Sequence, residues 1–221
     1  MIFKQNQLKG STGKVYKYLF DAIVYNELKP GTALSEADIA TKLKISRTPV
    51  REALVILESE GIVTRYRSRG CFVAQITVRD VEEIFELRIQ LELCAARNSV
   101  PLINETDLDA LERSLSALTN ESEKAEYFAT DRELHRLILA YCGNTRLVDF
   151  IGILNAQIER VRVISASRPR RLLESRDEHL AIVHAMRARN VAKVETLLRN
   201  HIENIRNSTL EVCRYMNMAC A

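Results

Sequence analysis

Apolar and polar positions follow two different patterns along this chain. Up to about residue 75 the apolar positions come in short runs broken by glycine and proline, whereas beyond it they recur at helical spacing over long stretches. Lys14 to Glu27 carries Val15, Tyr16, Leu19, Ile23 and Val24 on one face, and Pro30 with Gly31 ends that segment. Ser35 to Gly61 reads as two short helices joined by a tight turn, with Ser35 and Asp38 resembling a capping box. Ser46 is placed as the cap of the second helix, whose first turn holds Pro49. Ile62 to Gln75 gives two β-prone runs, IVTRYR and CFVAQ, around the glycine-bearing SRG tip, which predicts a hairpin.

From about Thr77 the pattern is helical throughout. Thr77 to Ser99 has Val81, Ile84, Leu91 and Ala95 on one stripe, and Thr106 and Asp109 open a segment to Leu118. Glu121 to Tyr141, Thr145 to Ile164, Arg170 to Arg189 and Val191 to about Met216 follow, separated at Pro101, Gly143 to Asn144, Pro169 and Asn190. That makes six helices of bundle-like length. The expected architecture is mainly α, a winged helix-turn-helix over 1–75, a linker at 76–78 and an all-α bundle over 79–221.

Charge sharpens the division. Residues 1–75 hold twelve Lys and Arg against seven Asp and Glu, a balance of +5, and the rest holds 20 against 22, a balance of −2. The basic excess thus sits on the segment with the two short helices and hairpin, as phosphate contacts require. The second short helix opens with Ser46, Arg47, Thr48 and Arg51, presenting cationic and hydrogen-bonding groups to a major groove, and Arg65, Arg67 and Arg69 give the hairpin a positive rim. No apolar run is long enough to span a bilayer, and the N-terminus lacks the apolar centre of a secretory signal. Five cysteines without CxxC spacing point to a reducing cytoplasm.

Candidate chemistry falls on the inner stripes of the second region. Asp131 and His135 are four apart, hence about 40° around a helix, and continue the stripe of Phe128 and Ile138. His179 lies with Leu172, Val183 and Met186, and His201 with Val194, Leu198 and Ile205. Three inward imidazoles and a carboxylate form a transition-metal site, with Zn²⁺ the default and Ni²⁺, Mn²⁺ or Fe²⁺ the alternatives. His184 lies off that stripe, and Glu133 and Glu178 adjoin the ligands but point elsewhere on their helices. Arg88 shares the stripe of Val81 and Ile84, and Glu92, another side chain or a ligand carboxylate are the candidates for its anion. Asn155 and Arg162, seven apart with Val148 and Gly152, form a second polar stripe, for which internal salt bridging and, with Arg88, the binding of a small effector are the two readings.

The string LSEADIATKLKISRTPVREALVILESEGIV resembles the DNA-binding domain of the GntR family of bacterial transcription regulators. That resemblance implies that Arg47, Thr48 and Arg51 contact phosphates and bases, with Gly70 at the wing tip beside Arg69 of the basic rim. Lys44 stands where the turn commonly has glycine, and Ala37 where some members carry an arginine. DRELHRLILAYCGN, SRDEHLAIVHAMRARN and RNHIENIR resemble the metal-bearing segments of the FadR-type C-terminal domain, the FCD subgroup, in which Asp131, His135, His179 and His201 match ligand positions. Leu134 departs from an aromatic common before the first histidine. The implied protein is a repressor with a small organic-acid effector, acting as a homodimer on palindromic operator DNA. A metalloregulator that senses the metal itself, and a metal-dependent enzyme fused to a DNA-binding domain, are the rival readings.

Overall fold

Three short helices and a small sheet build the N-terminal part of the computed structural model, which describes residues 8–168 and 170–218. Helix α1 (Gly10–Val24) packs on α3 (Arg47–Ser59), and α2 (Glu36–Leu43) leads into α3 through the turn at Lys44. Val15, Leu19, Val50, Leu54, Leu57 and Ile62 are fully buried between them. Each removes enough apolar surface from water to contribute about 1.5–3 kcal/mol. Lys44 adopts φ 54°, so a lysine stands in the left-handed conformation that ends α2. Strands β2 (Val63–Tyr66) and β3 (Gly70–Val73) form the hairpin, closing at Tyr66 opposite Gly70, whose φ of 92° favours glycine. A two-residue strand β1 (Ala33–Leu34), not anticipated from the sequence, pairs antiparallel with β3, so the sheet order is β1-β3-β2.

Among the described residues, six helices form the C-terminal part: α4 (Val78–Ser99), α5 (Glu105–Ser116), α6 (Lys124–Tyr141), α7 (Thr145–Ser165), α8 (Arg171–Arg187) and α9 (Val191–Met218). Their apolar stripes meet in one core that includes Val81, Phe85, Leu134, Ile138, Val161, Val183 and Leu198. Thr77 caps α4 in a reciprocal box with Asp80. Helix α4 packs along α9 and α6, and α7 touches both halves of the molecule, contributing Ala156 to the N-terminal core.

Several boundaries differ from the sequence reading. Helix α5 starts at Glu105 because Asn104 accepts from the Asp107 amide at 2.7 Å, so Thr106 and Asp109 lie inside it. Helix α6 starts at Lys124, where Glu123 and Glu126 form a capping box, leaving Glu121 in the preceding turn. Ser46 occupies the cap position of α3 but its side chain accepts no amide there. The expected break at Pro169 lies outside the described residues.

Candidate metal centre and DNA-reading face

Asp131, His135, His179 and His201 converge. Asp131 and His135 project from α6, His179 from α8 and His201 from α9, and one donor atom from each lies within 4.8 Å of all the others. All four are buried. The three Nε2 atoms surround Asp131 Oδ1, at 3.9 Å for His135, 3.4 Å for His179 and 3.8 Å for His201. The Nε2 atoms of His179 and His201 are 3.1 Å apart.

Outer carboxylates set the tautomers. His135 Nδ1 contacts Glu92 Oε2, and His201 Nδ1 donates to Glu178 Oε2 at 2.7 Å, so in both rings the proton sits on Nδ1 and Nε2 keeps its lone pair. Burial lowers the pKa of His135, and burial together with the neighbouring His179 lowers that of His201 to about 3, so both rings are neutral at physiological pH. Burial opposes ionisation of Asp131, but Arg162 and the imidazoles outweigh it and hold the carboxyl well below its usual range. An ionised carboxylate facing neutral imidazole nitrogens is the protonation state that binds a divalent cation. The donor set of three nitrogens and one oxygen fits a borderline transition metal.

Glu178 corrects the sequence reading, which set it aside as pointing away from the ligands. Its carboxylate joins His201 to Arg171, which donates from Nη1 at 2.9 Å and Nη2 at 2.6 Å, and to Asn204 at 2.8 Å. Burial raises its pKa, but the His201 and Arg171 bonds prevail and bring it to about 2. A residue one step from His179 turns by about 100° around α8, and in this bundle that direction meets His201 and Asn204 of α9 while staying partly open to water. Glu133 does point outward and pairs with Arg136, and His184 binds Glu112 at the surface.

Arg88 donates from Nε to Glu92 Oε1 at 2.6 Å, so Glu92 is the anion among the candidates. Arg162 contacts Glu159 Oε1, and its Nε lies 2.5 Å from Asp131 Oδ2 without hydrogen-bond alignment. Arg88, Asn155 and Arg162 line one cavity together with His135, Glu92 and Arg132. Arg132 and Glu159, joined at 3.2 Å, were not singled out from the sequence; Arg132 lies one residue from Asp131, and Glu159 three before Arg162.

The candidate DNA-reading face is open. Ser46, Arg47, Thr48 and Arg51 are exposed at the start of α3, and Arg65, Arg67, Arg69 and Gly70 are exposed on the hairpin. Arg51 makes a forked contact with Glu36 of α2, with Nη2 to Oε2 at 2.9 Å. Arg65 pairs with Glu58 at 3.0 Å, which fastens the hairpin to α3.

A winged helix-turn-helix joined to a helical bundle is the architecture of a DNA-binding transcription regulator. Residues 11–73 match the model for bacterial regulatory proteins of the gntR family, and residues 83–204 match that for the FCD domain. The chain belongs to the GntR family, with an FCD domain as its C-terminal part; GntR-type regulators bind operator DNA. It is 29% identical over 205 residues to the HTH-type transcriptional repressor RspR of Escherichia coli strain K12, covering 90% of this chain and 89% of that protein. The solved structure of E. coli McbR/YncC matches with a TM-score of 0.74 at 23% identity, over 89% of this chain and 95% of that one. The metal-free FCD domain of TM0439 matches with a TM-score of 0.58 at 17% identity, over 64% of this chain and 99% of that one, and shares the fold. None of the helices in the described residues is long and apolar enough to cross a membrane.

Proposed function

We propose that this regulator is a homodimeric repressor whose hold on a palindromic operator is set by a small carboxylate bound at a divalent metal in the C-terminal bundle. Residues 1–75 read DNA, residues 79–221 sense and dimerise, and the protein works in the cytoplasm. The observation that carries the reading is the buried convergence of Asp131, His135, His179 and His201, with Nε2 left unprotonated on His135 and His201. Those residues would hold Zn²⁺, or Ni²⁺, Mn²⁺ or Fe²⁺ in its place. When bound, such an ion supplies a Lewis-acidic anchor for a carboxylate oxygen.

Arg88, Asn155 and Arg162 support the carboxylate reading because they line the cavity beside His135. Arg88 and Arg162 are buried cations there, which favours an anion over a neutral ligand. Ser46, Arg47, Thr48 and Arg51 enter the major groove, and Arg69 with Gly70 follows the backbone at the wing. A two-fold dimer presents two such heads to a palindrome, and a ligand that prefers one arrangement of the heads shifts the population toward it. The repressor RspR, similar over most of this chain, supports repression as the sign.

Metal analysis of the purified full-length protein tests the reading, together with binding to DNA fragments flanking its own gene in the presence of a small-acid panel. Stoichiometric metal that disappears in His135→Ala with His201→Ala, and operator release by one of the acids, is the expected result. Metal content unchanged by those substitutions refutes the site. Release by metal alone, with no acid able to alter it, replaces the carboxylate with the metal as the signal.

A further inference from the structure

The atom of His135 that a metal would use is already engaged. Arg88 Nη2 lies 2.9 Å from His135 Nε2, and because the Nδ1 proton of that ring faces Glu92, the guanidinium donates and the ring accepts. Arg88 Nε stays on Glu92 Oε1 at 2.6 Å, while Arg88 Nη1, fully buried, has no hydrogen-bond partner among the described residues. One lone pair therefore has two claimants, and the losing claimant carries an unused donor beside the one it gives up.

We infer that Arg88 is a gating residue, competing with the metal for His135 Nε2 and becoming an anion receptor only when displaced. The inference rests on the metal reading above and concerns the order in which the site fills. With Nε tethered to Glu92, the guanidinium cannot leave the cavity; it can only turn its two terminal nitrogens away from His135. Those nitrogens then form a fork matched to the two oxygens of a carboxylate. Metal first and carboxylate second follows, because before displacement the fork is half occupied and the cavity holds Arg88, Arg132 and Arg162 offset by Glu92 and Glu159. A carboxylate seated on Arg88 also removes the competitor, so each ligand tightens the other by the same factor.

The test is Zn²⁺ affinity of the full-length protein, measured by chelator competition with acetate or with chloride at equal ionic strength, in wild type and Arg88→Met. In wild type, acetate tightens Zn²⁺ by between about 5- and 150-fold at saturation, and Zn²⁺ tightens acetate equally. Arg88→Met, checked for folding by circular dichroism, binds Zn²⁺ about tenfold more tightly without acetate, the worth of one lost competing charge-assisted bond, and loses most of the acetate effect. Weaker or equal Zn²⁺ binding by the folded variant overturns the inference and leaves the metal reading standing. Absence of an acetate effect in wild type overturns it as well, whether or not the variant folds. A wild-type protein that takes up no Zn²⁺ overturns the metal reading and this inference together.

Discussion

Replacing Glu178 with glutamine separates a residue that tunes the proposed metal ligands from one that merely props up a helix. The carboxylate receives four hydrogen bonds: one from His201 Nδ1 at 2.7 Å, two from Arg171 at 2.9 Å and 2.6 Å, and one from Asn204 at 2.8 Å. An amide offers one oxygen and one NH₂ group, so at least one of those donors must face another donor. Arg171 keeps Glu174 at 3.3 Å and Ser175 at 3.1 Å, and the Glu178 side chain is 21% exposed, so water relieves part of the loss. Discounted for that exposure, the expected destabilisation is about 2 kcal/mol. For a chain of this length it lowers the thermal midpoint by about 4–8 °C.

Metal affinity is the decisive readout. Loss of the charged partner weakens His201 as a donor and frees its ring to turn, which typically reduces affinity about 10- to 100-fold. Chelator competition with Zn²⁺ at a temperature where both proteins are folded reads that change directly. Glu174→Gln is the control, since Glu174 pairs with Arg168 and Arg171 and touches none of the four converging residues. It is expected to lower stability with Zn²⁺ affinity intact. If Glu178→Gln binds Zn²⁺ within twofold of wild type, or if the control loses affinity equally, the outer carboxylate does not tune the site.

Arg51→Ala should reduce operator affinity by about 1–3 kcal/mol with the circular dichroism spectrum preserved, because the side chain is 67% exposed; undiminished binding removes Arg51 from the reading face. Arg69→Ala should lower the slope of log affinity against log salt by about 1, and an unchanged slope places the wing away from phosphate. Gly61→Ala should destabilise the chain by about 1–2 kcal/mol, since Gly61 has φ 71° and a Cβ there would lie 2.6 Å from Gln157 Nε2; a neutral result in urea denaturation refutes this. Burial opposes ionisation of Glu159, but Arg162 and then Arg132 hold its pKa below the ordinary 4.5. Its contribution is therefore complete above pH 4.5 and fades as pH falls through the lowered value. Urea midpoints measured at falling pH should drop less steeply in Glu159→Gln than in wild type, and parallel curves exclude Glu159 as a source of acid sensitivity.

What could be seen in the sequence were features with a period or a spacing. The helical stripes of Val81 to Ala95 and of Phe128 to Ile138 define faces without reference to partners, so α4 and α6 were visible, and with them the inward course of Asp131 and His135. Strand β1 was not, because two residues, Ala33 and Leu34, are too few to show alternation and their pairing with Phe72 and Cys71 is non-local. The start of α5 was misplaced because Thr106, Asp107 and Asp109 all suit a first turn, and only the observed bond from Asp107 N to Asn104 decides among them. Glu178 was misread for a related reason. A single-stripe picture gives a helix one inner face, whereas α8 packs against α5, α6 and α9, so its buried arc is wider than one stripe.

Helix α7 offers the proposed ligand response a physical route. Ala156, Gln157, Arg160 and Val163 lie on one side of it. Ala156 and Val163 pack into the core of the DNA-binding part, Gln157 Nε2 donates to Glu60 O at 3.1 Å, and Arg160 Nη2 donates to Ala74 O at 2.9 Å. Ile151, Asn155, Ile158 and Arg162 lie on the other side and line the cavity beside His135. At about 100° per residue, Arg160 and Arg162 are some 200° apart, so one rigid element holds the reading head by one face and Asp131 by the other. In the proposed response, a shift of Arg162 at the site would move the whole rod, because a packed helix resists local bending. Glu60 and Ala74 flank the hairpin, at the end of α3 and just after β3, so their anchors would carry that displacement to both the recognition helix and the wing. Gln157→Ala with Arg160→Met should accordingly leave DNA and metal binding measurable while uncoupling them, and an operator affinity that still responds fully to metal and acid would show that the signal travels by α4 instead.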